Sequence, residues 1–406
     1  MNPTCPGPTL GVVGGGQLGR MLAEAASPMG VDVVVLDPTP DCPASRVADQ
    51  IEGSFDDPDA VRELADRADA LTLEIELADP DLLEAVEAEF DVPVNPSPAA
   101  LRTIQDKLVQ KRAFADAGVP VPEFVAVDDA ADLADAVERF DGCMLKARTG
   151  GYDGRGNVPV HPGDDYAAKL AEVGAGEDGA MAEELIDFER ELSVVAVRGD
   201  DERRAFPVVE NVHREEILRE TVAPARCSAA VAERAREVAF DTLETLDGRG
   251  VFAMELFEVS EARSASDASG ERSDPRAAGD VLVNEVAPRP HNSGHWTIEG
   301  ATASQFQQHV RAALGWPLAT AEARSPTVMA NVLGDVAEPT AARLSGVEDV
   351  LAAPNATLHW YGKHEARPLR KMGHLTLIGD GDDRDADRDE LLARARDLRD
   401  GLTFEE

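Results

Sequence analysis

Across 406 residues the chain carries 39 basic and 78 acidic side chains, a formal net charge of −39, with 43% apolar and only 4% aromatic residues. That length suggests two to four domains at about 100–200 residues each, and the apolar share excludes a wholly disordered acidic chain. Acids that outnumber bases two to one argue against a nucleic-acid partner, which calls for a basic footprint. Only 6 of the bases are lysine and 33 are arginine. With the acid excess, this resembles the surface composition of proteins from cells that keep molar salt inside. Cys5, Cys42, Cys143 and Cys227 are dispersed, without a CxxC pair. Neither a disulfide framework nor a zinc site is expected, and a reducing cytoplasm is. No apolar run approaches 18 residues, so no membrane span is expected either.

Thr9 to Val13 is a β-prone run ending in GGGQLGRM at 14–21, after which MLAEAASPMG reads as a helix. Val31 to Leu36 is a second strand, closed by Asp37 and Pro38. Strand, glycine turn, helix and strand in that order predict a βαβ unit of a parallel sheet. The alternation continues with helix 61–68, strand 70–75 and helix 81–90, and the Pro-rich VPVNPSP at 92–98 marks a boundary. A helix from about Thr103 carries DKLVQKRAF, and Cys143 to Ala147 is a strand that bears Lys146 and runs into RTGGYDGRGN. Residues 180–198 and 205–212 read as strands, 229–246 as a long helix, 251–259 and 281–286 as two further strands. The polar segment between those two lacks apolar periodicity and predicts a flexible hairpin insertion near 260–280. The acidic run at 379–390 predicts a solvated turn before a final short helix.

Five groups carry chemistry. Gly14, Gly16 and Gly19 in G-x-G-x-x-G spacing, with Asp37 ending the next strand, fit a dinucleotide site or simply a tight connection. Lys107 and Lys146, beside the glycine-rich loop 150–157, suit a polyphosphate. Glu183, Glu184, Glu191, Glu255 and Glu285 with Asn284 are hard oxygen ligands of the kind a nucleotide-bound Mg²⁺ takes. Glu255 and Glu285 stand out because they lie in apolar strands, where an unpaired carboxylate is costly. APRPHNSGHW at 287–296 packs Arg289, His291, Asn292, Ser293 and His295 together, a donor set for a phosphorylated substrate. Lys363, Arg367, Arg370 and Lys371 make 359–374 the most basic window of an acidic chain, which calls for an anionic partner.

In this order, GGGQLGRM, DKLVQKRAF, KARTGGYDGRGN, EELIDFERELSVV, FAMELF, NEVAPRPHNSGHWTIEG and WYGKHEARPLRKMGHLT closely resemble the N5-carboxyaminoimidazole ribonucleotide synthases, ATP-dependent carboxylases of the ATP-grasp superfamily. The resemblance implies a mixed α/β and α+β chain of three domains: a Rossmann-like N-terminal domain at 1–100, a two-lobed ATP-grasp domain at 101–320 with its glycine-loop lobe at about 122–185, and a small C-terminal domain at 321–406. It also implies ATP and magnesium, with manganese as an alternative, and a homodimer. By motif, the ATP contacts would be Lys107, Lys146, Gly151, Tyr152, Asp153, Gly154, Arg155, Gly156, Asn157, Glu183, Glu184, Leu185, Ile186, Glu191, His213, Asn284 and Glu285. Glu255 and Glu285 would hold the metal, and Tyr152, Asp153, Arg155 and Arg289 would be catalytic. The ribonucleotide would meet Gln17, Leu18, Arg289, His291, Asn292, Ser293, Lys363, Arg370 and Lys371. Another ATP-grasp ligase and an NAD-binding oxidoreductase remain as alternatives. The role of Glu76, in the family's Glu-x-Glu strand, stays open because Leu77 replaces an expected polar residue.

Overall fold

The structure is a computed structural model that describes residues 1–150, 156–176, 178–260, 277, 279–379 and 388–404. Its N-terminal part is a parallel four-stranded sheet in the order Asp49–Glu52, Asp32–Asp37, Thr9–Val13, Ala70–Leu73. The central strands are near-continuous apolar runs because both faces are covered. Leu10 and Val12 pack with helix Gln17–Ala26, whereas Val13, Leu36 and Leu73 pack with helices Pro58–Arg67 and Pro80–Phe90. The strand expected over 70–75 ends at Leu73, which leaves Glu74 and Glu76 in the turn at the carboxyl edge, where ligands of such sheets bind.

The helix expected from Thr103 onward is two helices, Pro98–Gln105 and Lys107–Asp116. Asp106 between them is extended, and its carboxylate caps the second helix by accepting from the Leu108 and Val109 amides at 2.9 and 3.1 Å. The same carboxylate pairs with Arg148, so a tertiary contact fixes the break. Lys107 and Lys111 thereby share one helical face, four residues apart.

Residues 180–198, expected as a strand ending at Glu183 and Glu184 and a second starting at Glu191, form two strands, the second beginning at Phe188. Ala180–Glu184 belongs to an antiparallel sheet ordered Phe124–Val127, Ala180–Glu184, Cys143–Ala147, Asn157–Val160. Phe188–Arg198 belongs to a second, larger sheet, so residues 185–187 are the crossing between the two. The strand expected over 205–212 is likewise two, Arg203–Ala205 and Val209–Arg214, separated at Pro207, which has no N–H to give a ladder.

The large sheet runs Val281–Ala287, Gly250–Val259, Phe188–Arg198, Val209–Arg214, Ile217–Ala223, Thr327–Leu333, Lys371–Ile378, Ala356–Trp360, with Arg203–Ala205 paired to Phe188–Arg198. Its last three strands come from the stretch expected to form a separate C-terminal domain, and they continue one ladder through Ile217–Ala223. Helix Arg388–Asp400, 13 residues long and not the short one expected, covers that end. Its Arg396 and Arg399 close on the fully buried Glu220. Strands Gly250–Val259 and Val281–Ala287 pair antiparallel, as a hairpin requires; the predicted insertion between them lies, at 261–276 and 278, outside the described residues, as does 380–387 of the acidic run. Among the described residues, no helix is long and apolar enough to cross a membrane.

Candidate active site

The glycine turn at 14–19 is closed from within the protein. Glu74 sends one carboxylate oxygen to the Gly16 amide at 2.5 Å and the other to the Gly19 amide at 2.6 Å. Asp37 accepts from Gly15 at 2.9 Å and from Thr39 at 2.8 Å. The helix N-terminus that would cradle a pyrophosphate is therefore occupied by a protein carboxylate. The glycines serve that side chain: a Cβ on Gly14 would fall 2.4 Å from Glu74 Cγ, and one on Gly16 2.7 Å from its Oε1. This overturns the dinucleotide alternative. Burial pushes the Glu74 pKa up, against the Gly19 and Gly16 amides and the Arg289 charge.

Arg289, after strand Val281–Ala287, reaches back to the Glu-x-Glu turn and makes a two-oxygen pair with Glu76 at 2.9 and 3.0 Å. Glu76 thus binds the loop of residues 287–296 to the N-terminal sheet, a role its sequence context left open. The loop is held from beneath by Gln305, whose Oε1 accepts from His291 N at 2.9 Å and whose Nε2 donates to His291 O at 2.7 Å. The Ser293 hydroxyl lies 2.8 Å from that of Ser193 and 2.9 Å from His291 Nδ1. Asn292 and Asn331 exchange amide hydrogen bonds at 2.6 and 3.1 Å. Ser293 is fully buried and Asn292 nearly so, so both shape the loop. The structure gives Leu18 the same kind of task, because its side chain packs in the core.

At the edge of the large sheet, Glu255 and Glu285 face each other across paired strands. Lys107 Nζ pairs with Glu285 Oε2 at 2.5 Å, and Lys146 Nζ donates to Asn284 Oδ1 at 2.9 Å. Lys146 also pairs with the buried Glu183. Lys107, then Lys146 and His291 in lesser degree, hold Glu285 well below the usual carboxylate range against the opposing effect of burial. Glu255 moves the other way: burial first and the Glu285 charge second push it up. His291 Nε2 lies 3.5 Å from Glu255 Oε1. Glu191 and His213, from adjacent strands, form an ion pair that raises the His213 pKa despite burial, with Glu255 adding to the effect. Lys371 is near enough to act on both His213 and Glu255 in the opposite sense.

Lys371 extends the site toward the basic window. Its carbonyl accepts from Lys363 Nζ at 2.6 Å, and Lys363 lies over the Tyr361 ring at 5.7 Å. Arg370 donates to Glu365 O at 3.0 Å, while Gln17 lines a cleft of about 150 Å³ with His359, Trp360 and Tyr361. Glu184 turns away, accepting from the Glu123 amide at 2.8 Å. Leu185 and Ile186 lie in the crossing between sheets. Gly156, with positive φ, accepts from the Ala147 amide at 2.8 Å, and Asn157 pairs in register with Lys146. Gly151, Tyr152, Asp153, Gly154 and Arg155 lie outside the described residues.

Sequence reasoning missed Lys111, Glu74 and Gln305 as members of this site. Lysine scarcity and the four-residue spacing from Lys107 already pointed to Lys111; the other two depend on contacts between distant segments.

Three family models match in series: the ribonucleotide synthetase preATP-grasp domain at 8–105, the ATP-grasp domain at 112–306, and the phosphoribosylaminoimidazole carboxylase C-terminal domain at 327–388. The N5-carboxyaminoimidazole ribonucleotide synthase of Brucella melitensis is 40% identical over 92% of this chain and 97% of its own length. The chloroplastic phosphoribosylaminoimidazole carboxylase of Vigna aconitifolia is 39% identical, and this chain spans 64% of its length. The synthetase structure from Thermotoga maritima superposes with a TM-score of 0.83 at 36% identity, covering 98% of this chain and 99% of that one. A synthase from Aspergillus clavatus, solved with ADP and 5-aminoimidazole ribonucleotide, gives 0.83 at 35% identity over 97% of this chain and 99% of its own. With the three domains in the expected order, the chain belongs to the N5-carboxyaminoimidazole ribonucleotide synthase family, the ATP-dependent ligases of purine biosynthesis.

Proposed function

We propose that the junction described above is where ATP, bicarbonate and 5-aminoimidazole ribonucleotide become N5-carboxyaminoimidazole ribonucleotide, ADP and phosphate, in the cytoplasm and in a homodimer. The observation that carries this reading is the convergence of Lys107, Lys146, Asn284, Glu285 and Glu255 beside Arg289 and His291. That is a polyphosphate site abutting a second anion site. The ligands of the Aspergillus clavatus relative, ADP and the ribonucleotide, fit the same pair. The same reading divides the chain near residues 100 and 320.

The donor set suits a hard dication. Two carboxylates face each other across a strand pair, and their repulsion helps push Glu255 up. Among the described residues no three His, Cys, Asp or Glu side chains converge as a metal site, so the remainder of the shell would be phosphate oxygens and water. Glu255 and Glu285 would hold Mg²⁺, or Mn²⁺, whose contribution is to neutralise charge between the phosphates.

Lys107 and Lys146 neutralise phosphate oxygens and align the γ-phosphorus, as phosphoryl transfer requires. Arg289, fixed by Glu76, and His291, fixed by Gln305, hold bicarbonate so that its oxygen attacks that phosphorus while the bond to the ADP oxygen breaks. The substrate amine then takes the carboxyl carbon of carboxyphosphate, phosphate leaves, and the nitrogen loses a proton. Lys363, Arg370 and Lys371, with Gln17 and the Leu18 backbone, anchor the ribonucleotide, and the Glu183–Ile186 segment with Glu191 and His213 borders the nucleoside. Tyr152, Asp153 and Arg155 complete the reacting centre. Carboxyphosphate is short-lived in water, so exclusion of solvent is part of the task. The test is phosphate release from ATP and bicarbonate with and without the ribonucleotide. Release that ignores the ribonucleotide sinks the reading.

A further inference from the structure

Helix Lys107–Asp116 carries a second lysine whose burial demands an explanation. Lys111 is 1% exposed, and lysine is almost never fully buried unless paired. Its ammonium donates to Val283 O at 2.8 Å and pairs with Glu183 Oε1 at 2.6 Å. The other Glu183 oxygen takes Lys146, which in turn donates to Asn284. Val283 and Asn284 are consecutive, so the contacts close a ring: Val283, Lys111, Glu183, Lys146, Asn284. The ring joins the helix, the antiparallel four-stranded sheet and the edge strand of the large sheet.

We infer that Lys111 is a positioning residue that acts through Glu183 to present Lys146 to the nucleotide's phosphates; this rests on the ATP-site reading above. Glu183 is 2% exposed and buried between two ammonium groups. Burial opposes its charge, yet Lys111 and Lys146 outweigh burial and hold its pKa below the usual range. With Lys111 in place, Glu183 needs only part of the Lys146 charge. Lys146 spends one N–H on Glu183 and one on Asn284, and an ammonium has a third for a phosphate oxygen. Without Lys111, Lys146 is, among the described residues, the remaining ion-pair partner of a buried carboxylate, and electrostatics draws it toward Glu183 and away from the phosphates. Burial pulls the Lys111 pKa down to about 8, with Glu183 opposing and Lys146 adding to the effect.

A lysine that merely glued helix to sheet would lower stability without singling out one substrate. The experiment is therefore steady-state kinetics of the full chain with Lys111→Met, Glu183→Gln, the double variant and Lys146→Met. Lys111→Met is expected to raise the KM for ATP about tenfold while leaving that for the ribonucleotide within about twofold. In the Glu183→Gln background, removing Lys111 is expected to change the KM for ATP by less than about twofold, because the group it acts through is already neutral. An unchanged KM for ATP in Lys111→Met, or effects that multiply in the double variant, overturns the inference. If Lys111→Met does not fold, Glu183→Gln against the double variant decides it: equal values support the inference and a further rise overturns it. An unchanged KM for ATP in Lys146→Met overturns the nucleotide reading itself. A raised KM there, with none in Lys111→Met, removes the inference alone.

Discussion

Glu76→Gln isolates the tether between the N-terminal sheet and the loop of residues 287–296. In the structure the Glu76 carboxylate meets the Arg289 guanidinium at 2.9 and 3.0 Å, with side-chain accessibilities of 27% and 19%. Two unit charges about 4 Å apart at an effective dielectric of about 20 attract by roughly 4 kcal/mol before desolvation. Partial access of solvent to both groups reduces the net value to about 1–2 kcal/mol. Glutamine keeps one acceptor and loses the charge, so about 1 kcal/mol of the restraint on Arg289 should disappear. If Arg289 works only when so held, kcat/KM for the ribonucleotide should fall about five- to tenfold, with the KM for ATP nearly unchanged. Arg289→Ala should cost more, and the double variant little more than Arg289→Ala alone. The assay is phosphate release with the ribonucleotide varied at saturating ATP and bicarbonate. Wild-type kcat/KM in Glu76→Gln would refute the claim that the pair positions Arg289.

Glu220 is fully buried, and despite the opposing effect of burial its pKa is lowered by Arg396 and Arg399. A depressed carboxylate pKa adds stability above the ordinary glutamate value, lost as pH falls through the folded one. Glu220→Gln should therefore lower stability by about 3 kcal/mol at pH 7, about 3–4 °C in Tm, with the difference from wild type shrinking in thermal melts below about pH 4. Because Glu74 fills the glycine turn, NADH should not bind measurably by fluorescence titration, whereas ATP should. With a formal charge of −39, helicity by circular dichroism and activity should rise together as KCl approaches the molar range, where the Debye length drops to about 3 Å. Maximal activity in dilute buffer would contradict the salt-adapted reading of the surface.

Local pattern made much of the fold legible. The strand over Thr9–Val13 and that over Cys143–Ala147 stand where the apolar runs put them, since a strand buried on both faces announces itself by composition alone. Where the reading failed, the deciding contact was distant. Asp106 breaks a helix because it caps one segment and pairs with Arg148, 42 residues away. Residues 180–198 read as a strand ending at Glu183 and Glu184 and another starting at Glu191, but their membership of two different sheets depends on distant partners. Strands Ile217–Ala223, Thr327–Leu333 and Lys371–Ile378 were not anticipated, and with them went the continuity of the large sheet. In the site, Lys107, Lys146, Glu255 and Glu285 stood out as rare or misplaced charges. Glu74 hid because a carboxylate on glycine amides 55 and 58 residues away leaves no mark in its own neighbourhood.

The uninterrupted ladder from Val281–Ala287 to Ala356–Trp360 has a mechanical meaning. Asn284 and Glu285 at one margin and Lys371 near the other are mounted on the same girder, and moving one against the other would tear backbone hydrogen bonds. Among the described residues, the separate antiparallel sheet that bears Lys146 and Glu183 shares no ladder with it, and the chain passes between them at 185–187. A displacement of the small sheet relative to the large one would therefore break no strand pairing between them. The ring through Lys111 is one tie across that gap which such a displacement would have to break.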